Sequence, residues 1–214
     1  MSLLLKKRKI PNATLDRLPL YFKFFKQSEE NGVDRVSSRE ISEALDIDSA
    51  TIRRDFSYFG ELGRKGYGYN VRALVKFFSE QVQGNGIKNV ILIGTGNLGS
   101  ALLNYNFTKI HDKINIAVAF DIDEEIVGST INGVEVIDVS ELESVIKEIN
   151  AEIAILTVPG QVGVELSHDL ESYGIKGILN FTPEKLAVSE KVTVHNIDLS
   201  VEMQALLFYM KHKY

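Results

Sequence analysis

The chain of 214 residues contains no cysteine, which excludes disulfides and thiolate chemistry. Any response to redox state must therefore come through a bound ligand. Histidine is scarce as well. His111, His168, His195 and His212 sit in no obvious loop constellation, which leaves little for general acid–base work. No apolar run is long enough to span a bilayer. The opening stretch MSLLLKKRKI places its charges after a very short apolar segment, the wrong order for a secretory signal. These absences lead us to expect a cytoplasmic protein with neither a membrane nor a metal as partner. Hydrophobic content of 44% and charged content of 25% are ordinary globular values, sufficient for one or two domains with real cores.

The net charge of −5 conceals an asymmetry. Residues 1–83 carry 15 Lys and Arg against 11 Asp and Glu, whereas residues 84–214 carry 9 against 18. A basic first part on an acidic second part points to a nucleic-acid contact confined to the N-terminal domain. Three helical patterns open that domain. Leu15, Leu18, Phe22 and Phe25 fall at spacings of three and four, with Pro19 expected to kink the helix or mark its start. Ser37 and Glu40 then form a capping-box signature ahead of Ile41, Ala44 and Leu45. A turn of about four residues leads into SATIRRDFSYF, as in a helix-turn-helix.

On that third helix Ile52, Phe56 and Phe59 share one side and should pack inward. Ala50, Arg53, Arg54 and Ser57 share the other, a small and cationic face suited to the major groove; Ser49 and Tyr58 complete the contact set. Two arginines on a solvated helix face would be the bland alternative. The next segment, FGELGRKGYGYN, favours DNA. Its glycines and alternating tyrosines predict a β-hairpin with Arg64 and Lys65 at the tip, the wing of a winged helix. The binding domain is expected over 1–83.

A second domain is expected over 84–196. NVILIG reads as a strand buried on both faces. Gly94-Thr95-Gly96-Asn97-Leu98-Gly99 follows with the G-x-G-x-x-G spacing, and then a helix begins. In that context Gly94 makes the turn, Gly96 admits a pyrophosphate to the backbone, and Gly99 permits close strand–helix packing. The next strand ends in Asp121, placed to accept ribose hydroxyls and repel a 2′-phosphate, with Ile122 beside it. No arginine follows in DIDEE, which favours NAD(H) over NADP(H). Helices and strands then alternate, implying a parallel sheet. Val158, Pro159, Asn180 and Phe181 stand at strand ends where ligand would bind. Residues 197–214 form a terminal helix, apolar nearly all round, that must be covered by its own domain or by a partner subunit.

The fold class expected is α/β: a winged helix-turn-helix, a Rossmann-type parallel sheet and a C-terminal dimerisation helix. On RRDFSYFGELGRKGYGY, GTGNLGSAL, LTVP, GIKGILNFTP and HNIDLSVEMQALLFYM, nearly the whole chain resembles the Rex family of redox-sensing transcriptional repressors. The resemblance implies a homodimer whose C-terminal helix is swapped under the partner's winged helix. It further implies binding to palindromic operators in double-stranded DNA when NADH is scarce, and release when NADH binds. By the same resemblance Tyr105 lies near the nicotinamide, and Asp198 belongs to the element coupling the domains. Lys23 stands where some relatives carry arginine, and a lysine offers Asp198 a point charge rather than a fork. An apolar pocket near Tyr105 and Phe107 would penalise the cationic ring of NAD+. Two alternatives stand beside this reading. An NAD-dependent dehydrogenase with an N-terminal extension would find too few residues after TVPG for a substrate domain. A CoA-type nucleotide module is opposed chiefly by Asp121.

Overall fold

The computed structural model describes residues 10–60, 62–64, 66–83, 88–105 and 114–212. The chain divides into two compact units, Met1–Asn85 and Gly86–Tyr214.

The first unit is a winged helix. Helix α1 spans Asn12–Glu30, α2 Ser38–Leu45, α3 Ser49–Ser57 and α4 Val71–Gln83. Strands β1 (Arg35–Val36), β2 (Gly63–Arg64) and β3 (Gly68–Asn70) form a small antiparallel sheet in the order β1-β3-β2. An aromatic cluster holds these elements together. Phe25 lies flat against Phe78 at 5.9 Å, while Tyr21 meets Phe56 edge-on at 5.0 Å. Phe56 also meets Tyr69 edge-on at 4.9 Å, so one ring of α3 touches both α1 and the wing.

Of the two roles expected of Pro19, marking the helix start is excluded, since it lies inside α1. Leu15 is 45% exposed while its neighbour Thr14 is buried, and Tyr21, not singled out by the spacing, is fully buried. Tyr21 extends the three-four series from Leu18 to Phe25, and its hydroxyl meets a buried partner on α3. Phe59, expected inside, is only partly buried, whereas Asp55 is buried beside Ile52 and Phe56.

The second unit is a Rossmann-type sheet. Its strands are β4 (Lys88–Ile93), β5 (Ile114–Asp121), β6 (Thr130–Ile131), β7 (Val134–Asp138), β8 (Ile153–Leu156), β9 (Gly177–Asn180) and β10 (Thr193–Asn196). Their order is β10-β9-β8-β4-β5-β7-β6, with every pairing parallel except β6–β7. Strand β4 is the point where the winding reverses. Ile91 and Ile93 join one apolar cluster and Val90 and Leu92 another, so β4 is buried on both faces. Helices α5 (Asn97–Asn104), α6 (Leu142–Ile149) and α7 (Gly160–Tyr173) flank it.

Between β5 and β7 the described chain carries turns and the β6–β7 hairpin rather than a helix. Asn132 (φ +50°) and Gly133 (φ +84°) make that hairpin's two-residue turn. Helix α8 (Leu199–His212) ends the described chain and buries none of its residues, so docking into its own unit is not what covers it. Truncating Phe25 to alanine should lower the stability of the first unit by about 3–5 kcal/mol. Denaturant unfolding followed by tyrosine fluorescence measures this, and an unshifted midpoint would contradict the packing described.

Candidate nucleotide site and nucleic-acid interface

Helix α3 is presented by two well-formed caps. Ser37 Oγ accepts from the Glu40 amide at 3.2 Å, and the Glu40 carboxylate accepts from the Ser37 amide at 2.7 Å, as the capping-box spacing implied. Asp46, left-handed at φ +52°, ends α2. Asp48 then caps α3 by accepting from the amides of Ala50 and Thr51 at 2.8 and 3.2 Å.

Ala50, Arg53, Arg54 and Ser57 are exposed, whereas Ser49 and Tyr58 are half-buried. Successive helical residues are turned by about 100°, and Ile52, Asp55 and Phe56 point inward. Arg54 therefore stands near the outward direction, and Arg53 leans to one side. On that side Arg53 Nη1 donates to Ser38 Oγ at 3.1 Å and to Ser49 Oγ at 3.3 Å. A cleft of about 660 Å³ opens there between α3 and the wing, lined by Arg53, Ser57, Ser38, Gly63 and Tyr69. Arg54 lines a separate depression with Thr51, Tyr58 and the start of α1. The Ser57 hydroxyl is turned back onto the Arg54 carbonyl at 2.7 Å.

In the wing, Arg64 lies in β2 opposite Gly68, and Lys65 falls outside the described residues. A residue not anticipated from sequence steadies the wing from its base. Arg35 Nη1 donates to the Tyr67 carbonyl at 3.2 Å, and its guanidinium sits 5.5 Å from the Tyr67 ring centre. Only its neighbouring position in β1 would have marked it.

In the second unit the glycine turn sits at the carboxyl end of β4, beside the end of β8. Gly94 has φ +94°, and a Cβ there would come within 2.8 Å of the Thr157 carbonyl oxygen. At Gly99 a Cβ would stand 1.9 Å from the Gly94 carbonyl oxygen, so only glycine lets α5 approach the turn. The space beside Gly96 is open, with nothing within 4 Å of a Cβ placed there. Gly96 also caps α5 without a side-chain acceptor, leaving the helix's first amides for a ligand. The geometry fits a pyrophosphate cradle. Thr157, which sequence reasoning passed over, locks it: its hydroxyl reaches the carbonyls of Ile93 and Gly94 at 3.0 and 2.6 Å.

Asp121 ends β5 next to this turn, but the turn holds it. Its Oδ2 accepts from the amide and the hydroxyl of Thr95, both at 2.6 Å. Its Oδ1 accepts from the amides of Ile122 and Asp123 at 2.8 and 3.2 Å. Burial alone would raise the Asp121 pKa, but these four donors outweigh it and hold the carboxyl below its ordinary range. Thr95 is itself buried, so its side chain serves Asp121 from beneath. Ile122 is 76% exposed, an apolar shelf beside the carboxylate.

Among the remaining expected residues, Asn97 and Leu98 form the exposed first turn of α5, and Tyr105 caps its other end, half-exposed. Val158 and Phe181 are half-buried at strand ends, and Pro159 is exposed ahead of α7. Asn180 is completely buried, its amide donating to the Glu184 carbonyl and to Asn196 while its oxygen accepts from the Thr182 amide. It ties β9 to β10 and presents no free polar atom toward a ligand. Phe107 lies outside the described residues. Asp198 accepts at one oxygen, Oδ1, from the Ser200 amide and hydroxyl and the Val201 amide, and so opens α8.

Comparison with known proteins covers both units. A family model described as a putative DNA-binding protein N-terminus matches residues 9–57, and one described as a CoA binding domain matches residues 85–184. The redox-sensing transcriptional repressor Rex of Staphylococcus carnosus (strain TM300) is 51% identical over 207 residues, which is 97% of this chain and 96% of that protein. The protein of the same name from Halalkalibacterium halodurans is 53% identical, covering 95% of this chain and 96% of its own. Among solved structures, RSP in complex with β-NAD+ and operator DNA superposes with a TM-score of 0.87 at 34% identity, covering 96% of this chain and 94% of that one. RSP in complex with β-NADH gives 0.85 at 32%, covering 96% of each.

Replacing Thr95 by valine removes one donor from Asp121 and leaves the amides. The Asp121 carboxyl should then titrate at higher pH than in the native chain, as read by carboxyl-carbon NMR. An unchanged titration would mean that the backbone alone sets its charge.

Proposed function

Since the chain belongs to the Rex family of redox-sensing transcriptional repressors, we propose that its winged helix holds operator DNA under the control of NADH and NAD+ bound at the glycine turn. The observation that carries this reading is the pairing, in one chain, of an arginine-bearing reading helix with an open glycine cradle beside an ionised Asp121. Its relatives are repressors, and the dehydrogenase alternative falls with them. The matched CoA-binding family model describes the same kind of nucleotide fold; Asp121 and the NAD+ and NADH complexes of RSP favour the dinucleotide. A cytoplasmic location accords with a DNA-binding regulator, and among the described residues no helix is long and apolar enough to cross a membrane.

The amides at the start of α5 would receive the pyrophosphate, with Gly96 giving it room and the helix N-terminus favouring its charge. Asp121, kept charged by Thr95, would accept the adenosine ribose hydroxyls and repel a 2′-phosphate. Ile122 offers an apolar face beside it, while Val158, Pro159, Phe181 and Tyr105 would flank the nicotinamide. The nicotinamide supplies the signal, cationic when oxidised and neutral when reduced. Apolar groups around that end penalise the cation, so the discrimination is one of desolvation. A ligand acts on DNA only if it favours one of two arrangements of the molecule.

Those arrangements require a homodimer. Helix α8 leaves Leu199, Leu206, Leu207, Phe208 and Met210 each at least half exposed, a surface that a second subunit would cover. Two-fold symmetry would also match a palindromic operator. Lys23, exposed on α1, would meet Asp198 of the partner subunit, whose Oδ2 takes no part in the capping hydrogen bonds.

On DNA, the outward Arg54 is the base reader, and Arg53, braced by two serine hydroxyls at the mouth of the wing cleft, is the phosphate contact. Ala50 and Ser57 form the small surface between them, flanked by Ser49 and Tyr58, and the charges of Arg64 and Lys65 in the wing segment would suit the minor groove. Arg54→Ala should cost about 1–3 kcal/mol and relax specificity at one base position. Arg53→Ala should weaken binding to all sequences and reduce the salt slope by about one. Fluorescence anisotropy across a salt series separates the two, and identical behaviour would refute the assignment. In a gel shift on a palindromic duplex, NADH should release the native protein where NAD+ does not, and Asp121→Ala should bind DNA but ignore NADH. Operator affinity indifferent to saturating NADH would refute the switch.

A further inference from the structure

Asp55 sits in the middle of the reading helix and is only 2% exposed. A lone carboxylate in an aromatic core would be costly. Here every lone-pair direction is answered from α1. Oδ1 accepts from Thr14 Oγ1 and Arg17 Nη2, each at 2.8 Å. Oδ2 accepts from Arg17 Nε and Tyr21 Oη, each at 2.7 Å. Thr14, Arg17 and Tyr21 recur at three and four residues along one face of α1, so a single carboxylate of α3 is gripped over two turns of its neighbour. Burial alone would raise the Asp55 pKa, but the donors outweigh it and hold the carboxyl below its ordinary range. It therefore stays ionised in the core.

Apolar contacts resist separation of two helices but are not directional, and they resist rolling only weakly. A two-pronged Arg–carboxylate pair is directional. Roll matters at this helix because Arg54 is the residue immediately before Asp55. A roll of about 20° would displace a side-chain tip about 6 Å from the helix axis by about 2 Å. That exceeds what hydrogen-bond geometry to a base edge tolerates. We propose that Asp55 and Arg17 are positioning residues for operator recognition, a fork that fixes the rotation of α3 about its own axis so that α1 and α3 turn as one body. The inference rests on the repressor reading above and adds to it the device that aims the reading face. It also makes α1, which carries Lys23, the lever through which movement reaches the DNA.

Arg17→Lys keeps the charge and loses the fork. Tyr21→Phe removes one donor and keeps the edge-on ring contact with Phe56. Both are compared with native protein for thermal unfolding, NADH affinity, and binding to a palindromic duplex selected by the native chain against a scrambled duplex. The expected result for Arg17→Lys is at least a tenfold fall in the specific-to-scrambled ratio, with scrambled-duplex affinity and NADH affinity unchanged. Tyr21→Phe should show a smaller fall, about threefold, and it decides the matter if the lysine variant fails to fold. Native discrimination kept in a folded variant, whatever its melting temperature, would overturn the proposal and leave the cluster as packing alone. Native protein without preference for the palindrome would overturn the repressor reading itself, and this proposal with it.

Discussion

Close contact between the start of α5 and the end of β4 is the constraint on which the nucleotide half of the molecule depends. The Gly99 α-carbon rests against the Gly94 carbonyl, at a distance where any side chain would force the helix away. Because the helix starts there, its first amides point at open space beside Gly96 and not into the sheet. Thr157 fastens the same turn to the end of β8. One backbone approach thus sets the direction of a helix N-terminus, the floor of a crevice and, through Thr95, the orientation of the Asp121 carboxylate. The binding chemistry is largely backbone, which is why it needs so few distinctive side chains.

The DNA-facing half solves a different problem. A reading helix of nine residues has little apolar surface with which to fix its own orientation. The aromatic cluster supplies cohesion, with Phe56 touching α1, α4 and the wing. Orientation comes from polar contacts at its margins: the Asp48 cap at one end, the Arg17 fork on Asp55 at the side, and the Arg35 bracket on the wing. Charged groups here serve direction, and the core serves stability.

Much of this was legible in the chain before any coordinates. The capping box at Ser37, the alternation of Ile52 and Phe56 with Arg53 and Arg54, and the glycine spacing at Gly94 are local signals that local physics produces. What escaped was set by distant partners. Asp55 reads as one more charge on a polar helix until Thr14, Arg17 and Tyr21 are brought to it from α1. Leu15 looked internal by spacing, yet its neighbour Thr14 is the buried one, its hydroxyl donating to Asp55. Asn180 stood at a strand end and resembled a pocket residue, but it is spent on β10, a strand too short and too mixed in pattern to be anticipated. Between Asp121 and Val139 a crossover helix is usual, and the Asn132-Gly133 pair marks the hairpin found there instead.

Helix α8 carries its own consequence. If a second copy covers it, as proposed above, the folded state becomes a bimolecular quantity, governed by how many chains a cell contains. Dilution would then loosen the molecule, and melting would rise with protein concentration. A newly made chain would carry its stickiest surface until it met a sibling, so the gene's own expression level would be part of the protein's structural chemistry.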